Sequence, residues 1–154
     1  MLLRRAWYGL NQAFRQRIAH LGITPDQFSI LRWLSEGDPQ GITQRTLTDL
    51  MASDPNTITS TLARMERSGL VARAQHEQDK RANRVKPTAA GRRAFSKGRD
   101  IARGLQEGIL NSLPASRCEQ FLTDLEAIAN VCAAATEKPA ARSRRTKKKG
   151  PPTK

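Results

Sequence analysis

The chain has 154 residues, enough for one compact unit with an extension. Its 27 Lys and Arg residues outnumber 14 Asp and Glu residues, so the formal net charge is +13, a balance that favours polyanionic partners. No apolar run is long enough for a signal peptide or a membrane span, and the two cysteines have no close Cys or His neighbour that would suggest a zinc site or a disulfide framework. We therefore expect a cytoplasmic protein with no membrane partner, no metal and no cofactor.

The first two helices have clear sequence signals. Residues 3–21 place apolar side chains at steps of three and four, which predicts an amphipathic helix that ends at Gly22. Thr24 can then cap a second helix, with Pro25 in its first turn and Gln27 at the capping-box position.

Two shorter helices follow the Gly- and Pro-containing break at residues 37–41. Thr43 is the predicted cap of a helix over Thr43–Met51, and Asp54 and Pro55 begin another over Asp54–Ser68. Gly69 stands at the usual C-terminal position. The apolar side chains that we expect these helices and the second helix to bury are Phe28, Leu31, Leu34, Leu47, Leu50, Met51, Ile58, Leu62 and Met65.

The helix over Asp54–Ser68 has an unusually polar second face. At roughly 100° per residue, this face lies opposite the apolar one. Its members are Asn56, Ser60, Ala63 and Arg67, flanked by Thr57 and Arg64. Such a face is typical of a helix that enters a DNA groove, although an ordinary solvated helix has the same pattern.

A charged hairpin is predicted next. Strand-like pieces at Leu70–Arg73 and Arg84–Lys86 flank a polar loop that contains Asp79 and Arg81. Two helices joined by a tight turn and followed by such a hairpin form a winged helix, a module that usually docks on DNA.

The C-terminal part completes a mainly α fold: four helices, a β-wing-β hairpin and two more helices. Thr88 caps a helix that runs to about Leu113, and Pro114 starts another that runs to about 134. Together with residues 3–21, the helices at 88–113 and 114–134 have strong apolar stripes, which can pack on one another or on a second subunit. We expect one domain over residues 1–136, with dimerisation helices at about 3–21, 88–113 and 114–134 and a DNA-binding part at about 41–87. Residues 137–154 hold eight basic side chains and one acidic one. We expect this tail to be disordered, as a solubilising extension or as a non-specific DNA tether.

Several motifs resemble the MarR family of winged helix-turn-helix transcriptional regulators, from about Leu10 to Ile128. The most specific are Gly69-Leu70-Val71-x-Arg73, then Asp79-x-Arg81, then Val85-x-x-Thr88-x-x-Gly91; Thr24-Pro25-x-Gln27-Phe28 and Asp54-x-x-Thr57-Ile58-Thr59 match upstream. One departure is Pro87, where the family commonly has Leu.

The resemblance implies a homodimer whose two winged helices read a pseudo-palindromic site on double-stranded DNA. The helix over Asp54–Ser68 becomes the recognition helix of the major groove. The residues implied as its contacts are Asn56, Thr57, Thr59, Ser60 and Arg64. In the wing, Arg81 is implied to enter the minor groove and Asp79 to steady the loop by pairing with Arg73 or Arg81.

Three functional classes remain open from the sequence: a ligand-responsive, sequence-specific repressor, an architectural DNA-binding protein, and a protein-interaction module. The polar recognition face with Arg81 argues against the third, and we find no enzymatic residue set. A small-molecule effector pocket lined by Trp7, Tyr8 and Trp33 is one hypothesis, against the simpler one that these aromatics are core. Cys118 and Cys132, about 21 Å apart along one helix, are expected to be core residues rather than redox sensors.

Overall fold

A computed structural model of the chain describes residues 1–75 and 83–136. Its helices are α1 (Leu2–Ile18), α2 (Pro25–Glu36), α3 (Gln44–Leu50), α4 (Pro55–Arg67), α5 (Ala89–Leu110) and α6 (Ala115–Thr136), and its strands are β1 (Ile42–Thr43), β2 (Val71–Gln75) and β3 (Asn83–Pro87). A 3₁₀ turn at Ala19–Leu21 extends α1. The chain divides into two compact units, Met1–Leu113 and Pro114–Lys154. The order of elements confirms the predicted winged helix-turn-helix.

Side-chain caps start the helices where the sequence predicted. Thr24 and Gln27 form a reciprocal capping box, with hydrogen bonds of 3.3 Å from Gln27 N–H to Thr24 Oγ1 and 2.9 Å from Thr24 N–H to Gln27 Oε1. Thr43, Asp54 and Thr88 accept hydrogen bonds from the backbone N–H groups of Thr46, Thr57 and Gly91 in the same manner. These bonds satisfy N–H groups that have no partner within the helix.

The three strands form an antiparallel sheet in the order β1-β3-β2. Ile42 pairs with Val85, and Val71 pairs with Pro87 at the other edge of β3. The strands of the hairpin were predicted, but β1 was not, because two residues are too few to show the alternation that reveals a strand.

The core of the first unit lies between α2, α4 and the sheet. The side chains with almost no exposed surface are Ile18, Ile30, Leu31, Leu47, Ile58, Leu62 and Met65. Aromatic rings extend this core to the outer helices, with centroids 4.9 Å apart for Phe14 and Phe28 and 5.7 Å apart for Phe28 and Phe95. One expectation was wrong: Leu50 at the end of α3 is 39% exposed, because the chain turns away there into α4.

The start of α5 is fixed against the junction of α4 and β2. The Thr88 hydroxyl donates to the carbonyl oxygen of Gly69 over 2.6 Å, and the Thr88 N–H donates to the Leu70 oxygen over 3.0 Å. A Cβ at Gly91 would overlap that Leu70 oxygen, so only glycine fits. This close approach explains the spacing of Thr88 and Gly91 in the sequence.

Two helices each carry several large apolar side chains that the described chain leaves exposed. On α1 these are Leu2, Leu3, Trp7, Tyr8 and Leu10, and on α6, in the second unit, they are Phe121, Leu122, Leu125, Ile128 and Val131. On the same helix Cys118 is half-buried, whereas Cys132 is exposed, so the expectation of a core position is wrong for Cys132 in the single chain. The apolar stripes that the sequence predicted for α1 and α6 are thus present, and each is exposed within its own unit.

Candidate nucleic-acid interface

The polar face of α4 is the centre of the candidate interface. Asn56, Thr57, Thr59 and Ser60 lie in its first two turns and are all exposed. The opposite face buries Ile58, Thr61, Leu62 and Met65 in the core, which fixes the rotation of the helix about its axis. The structure therefore brings these four of the five predicted contacts of the recognition helix onto one surface.

The hydroxyl groups on this surface bond to their own helix. Thr57 Oγ1 donates to Asp54 Oδ2 over 2.5 Å, Thr59 Oγ1 to the Pro55 oxygen over 2.7 Å, and Ser60 Oγ to the Thr57 oxygen over 3.0 Å. The Thr57 hydroxyl and N–H groups lower the pKa of Asp54 below its ordinary value, because both donate to its carboxylate. The start of α4 is thus a rigid, hydrogen-bonded cap.

Gln44, which the sequence did not reveal, joins α3 to this surface. Its Nε2 donates to Thr59 Oγ1 over 2.6 Å, although the two residues are fifteen positions apart. No local pattern predicts this hydrogen bond, because it depends on the angle at which α3 and α4 meet. Gln44 thus helps to set the orientation of the Thr59 side chain.

Arg64 occupies a different place from the other four predicted contacts. It lies about 12 Å along the axis from Asn56, at 1.5 Å per residue, and its Nη2 donates to Thr61 Oγ1 over 3.2 Å. It also lines a cleft of about 330 Å³ between α1, α2 and α4. The other residues that line this cleft are Arg15, Ala19, Ile23, Thr24, Asp26 and Gln27. None of Trp7, Tyr8 and Trp33 is among them, so this cleft is not the aromatic pocket that the sequence suggested.

The wing is described only in part. Arg73 on β2 is exposed, and its Nε lies 3.2 Å from Glu66 Oε2 at the end of α4. This pair links α4 to the hairpin. Asp79 and Arg81 lie outside the described residues, as does the predicted tail, 137–154.

An ion pair fixes the other strand of the hairpin. Arg84 Nη1 on β3 donates to Asp38 Oδ2 over 2.6 Å and to the Gly41 oxygen over 2.8 Å. The Gln40 N–H donates to Asp38 Oδ1 over 2.8 Å. This hydrogen bond, and to a smaller extent the one from Arg84, holds the pKa of Asp38 below its ordinary value. The loop before β1 is therefore tied to β3, the strand that follows the wing.

Metal sites and membrane spans have no support in the described part of the chain. Across 1–75 and 83–136, three or more His, Cys, Asp or Glu side chains never come together as a metal ion would require. In those two ranges no helix has both the length and the apolar character needed to cross a bilayer.

The fold and the α4 surface together define a winged helix-turn-helix protein. The MarR family model matches residues 23–82. The "Transcriptional regulator HosA" of Escherichia coli O127:H6 is 32% identical over 126 residues, which cover 79% of this chain and 92% of HosA.

Solved structures show the same likeness. The Mycobacterium tuberculosis transcriptional regulator MosR, solved in complex with DNA, is 30% identical with a TM-score of 0.64, over 85% of this chain and 95% of MosR. CouR of Rhodococcus jostii RHA1, solved with p-coumaroyl-CoA, has a TM-score of 0.71 at 24% identity, over 83% of this chain and 89% of CouR, and its likeness concerns the fold.

The chain belongs to the MarR family. The family resemblance seen in the sequence is confirmed, and so is the prediction that the protein is a regulator rather than an enzyme.

Proposed function

We propose that this protein is a sequence-specific transcriptional repressor that binds a pseudo-palindromic operator as a homodimer. The observation that carries the proposal is the exposed polar surface of Asn56, Thr57, Thr59 and Ser60 on a helix whose other face is locked in the core. The relatives described as transcriptional regulators and the likeness to a regulator solved on DNA support it. Because a repressor must reach the DNA that it binds, the proposal includes a cytoplasmic location.

The net charge of residues 1–136 supports DNA as the partner. With 19 basic and 13 acidic residues, this part of the chain is at +6 without the tail. Phosphate contacts from such a surface supply affinity that does not depend on sequence, whereas base contacts supply specificity. Among the side chains on α4, Asn56 has the amide that pairs with both N6 and N7 of adenine.

Selection of duplexes from a random pool by the full-length protein tests the proposal. We expect an inverted repeat whose half-sites lie about one helical turn, 10–10.5 base pairs, apart. Asn56→Ala should weaken binding to the selected duplex roughly tenfold or more, because alanine cannot form the bidentate hydrogen bonds to adenine. Asn111→Ala, at the exposed end of α5, is the matched control and should bind as the wild type does. A pool that gives no shared sequence would point to the architectural alternative.

The dimeric part of the proposal rests on the exposed apolar side chains of α1 and α6. A second copy of the chain would remove this surface from water, a favourable change roughly proportional to the apolar area covered. Sedimentation at micromolar concentration should give twice the chain mass. Leu125→Glu should shift the protein toward the monomer and weaken operator binding, whereas Glu126→Gln on the same helix should do neither. A wild-type monomer with full operator affinity would exclude the dimer.

The cleft between α1, α2 and α4 supports a ligand response. Arg15 and Arg64 place two guanidinium groups around a volume that suits a small aromatic acid. Because Arg64 belongs to α4, an anion bound there would contact the proposed recognition helix directly. We infer that a small anionic effector alters DNA affinity through this cleft.

The effector hypothesis can be tested with p-coumarate, a carboxylate smaller than the ligand of CouR. We expect it to release the selected duplex from the wild type, and Arg15→Gln to lose this response while keeping DNA affinity in its absence. The neutral amide of the same acid should have no effect. If p-coumarate and other aromatic acids leave DNA binding unchanged, the cleft is not an effector site.

A further inference from the structure

The three hydroxyl groups on the α4 surface already donate hydrogen bonds within the protein. Thr57, Thr59 and Ser60 each have one hydroxyl proton, and each donates it within the protein, over 2.5, 2.7 and 3.0 Å. Thr59 Oγ1 also accepts a hydrogen bond from the Gln44 amide, over 2.6 Å, which occupies one of its two lone pairs. The direction of these bonds is fixed, because a carboxylate or a carbonyl oxygen can only accept and an amide NH₂ can only donate.

This arrangement limits what the hydroxyls can recognise. Phosphate oxygens and the major-groove atoms of guanine, N7 and O6, are all acceptors, so a hydroxyl could bond to them only by breaking an internal hydrogen bond. The remaining lone pairs of Thr57 and Ser60 match donors instead, and the major groove offers these at adenine N6 and cytosine N4.

Thr59 presents a different group. Its Oγ1 faces the Pro55 carbonyl and the Gln44 amide, so the methyl group, the other substituent on Cβ, is left without a polar contact on an exposed residue. In the major groove a threonine methyl packs well against the 5-methyl group of thymine.

We propose, on the basis of the proposed DNA-binding function, that Thr59 reads thymine through its methyl group and that Thr57 and Ser60 act as acceptors, so that α4 selects against guanine on the strand that these hydroxyls face. Gln44 is the positioning residue of this arrangement, because its amide holds the Thr59 oxygen away from the groove.

Replacing thymine by uracil in the selected duplex, one position at a time, tests this assignment. Removing one buried methyl group corresponds to about a fourfold drop in affinity, so the wild type should bind more weakly by about that factor at one position in each half-site. Thr59→Val keeps a methyl and should retain the discrimination, whereas Thr59→Ser removes the methyl and should bind thymine and uracil duplexes equally.

Thr123→Ser on α6 is the matched control, since the Thr123 hydroxyl donates to the Glu119 oxygen in the same way, over 3.1 Å, on another exposed helix surface. It should keep the wild-type preference for thymine. The inference fails if replacing thymine by uracil leaves the affinity of the wild type unchanged at every position. It also fails if Thr59→Val no longer distinguishes thymine from uracil while Thr59→Ser still does. A wild type that prefers no duplex at all overturns the proposed function itself, an outcome distinct from either of these.

Discussion

Two helices end with the same hydrogen-bond pattern but with different residues in the left-handed position. After α3, Ser53 N–H bonds to the Thr48 oxygen and Ala52 N–H to the Asp49 oxygen, and after α4 the Leu70 and Gly69 N–H groups bond in the same way to the Met65 and Glu66 oxygens. Both patterns are Schellman motifs, in which glycine usually occupies the left-handed position. Here Gly69 has φ of 67°, whereas Ala52 has φ of 46°.

Exchanging the residue at each end should therefore have opposite effects on stability. A non-glycine residue in this region is strained by about 1–2 kcal/mol, so Gly69→Ala should destabilise by about that amount. A Cβ there meets nothing within 4 Å, so the effect is conformational. Ala52→Gly should raise the free energy of unfolding by up to about 1 kcal/mol, since part of the relief is offset by the freer unfolded chain. Urea denaturation measures both, and a stabilising Gly69→Ala would contradict the assignment.

The Asp38–Arg84 pair predicts a dependence of stability on pH. The pKa of Asp38 is lowered in the folded state, so its contribution is present above the unfolded pKa and is lost as pH falls through the folded pKa. Asp38→Asn should therefore lower the free energy of unfolding at neutral pH. The difference from the wild type should shrink as the pH falls below about 4, the ordinary Asp value. Denaturation curves from pH 7 to pH 3 test this, and a difference that stays constant would show that the carboxylate has no role.

At the scale of elements, the packing of α5 against the end of α4 is close enough to test with one methyl group. Gly91→Ala should destabilise by about 1–3 kcal/mol, because the new Cβ would overlap the Leu70 oxygen unless α5 shifts. Gly104→Ala on the same helix is the control. It meets nothing within 4 Å and should stabilise by about 0.5–1 kcal/mol through helix propensity. Equal effects of the two variants in thermal unfolding would contradict the close packing of α5 at Leu70.

The sequence predicted the elements of this fold well because their signals are local. The caps Thr24, Thr43, Asp54 and Thr88 each act within a few residues, so pattern alone located the helix starts. What it missed depends on the packing of separate elements. Strand β1 exists only because Ile42 meets β3, and the positions of Gln44 and Arg64 follow from how α3, α1 and α2 pack around α4.

At the scale of the whole molecule, the excess of basic residues is divided between residues 1–136 and the tail, 137–154. Residues 139–154 include seven Lys and Arg side chains and no acidic ones. Removing them should lower affinity for every duplex alike and flatten the plot of log K against log salt, by about 0.9 for each phosphate that the tail neutralises. The preference among duplexes should not change, since the side chains of α4 remain. A truncated protein that keeps its affinity for random DNA but loses its preference would reverse this division of roles.

The most direct test of the central claim is the ratio of two affinities. The full-length protein is titrated at one fixed salt concentration against the selected duplex and against a random duplex of the same length. A protein that reads base edges through α4 should prefer the selected duplex by about a thousandfold or more, and Asn56→Ala should reduce that ratio. Equal affinity for the two duplexes would show that the protein binds DNA without reading its sequence, contrary to the proposed function.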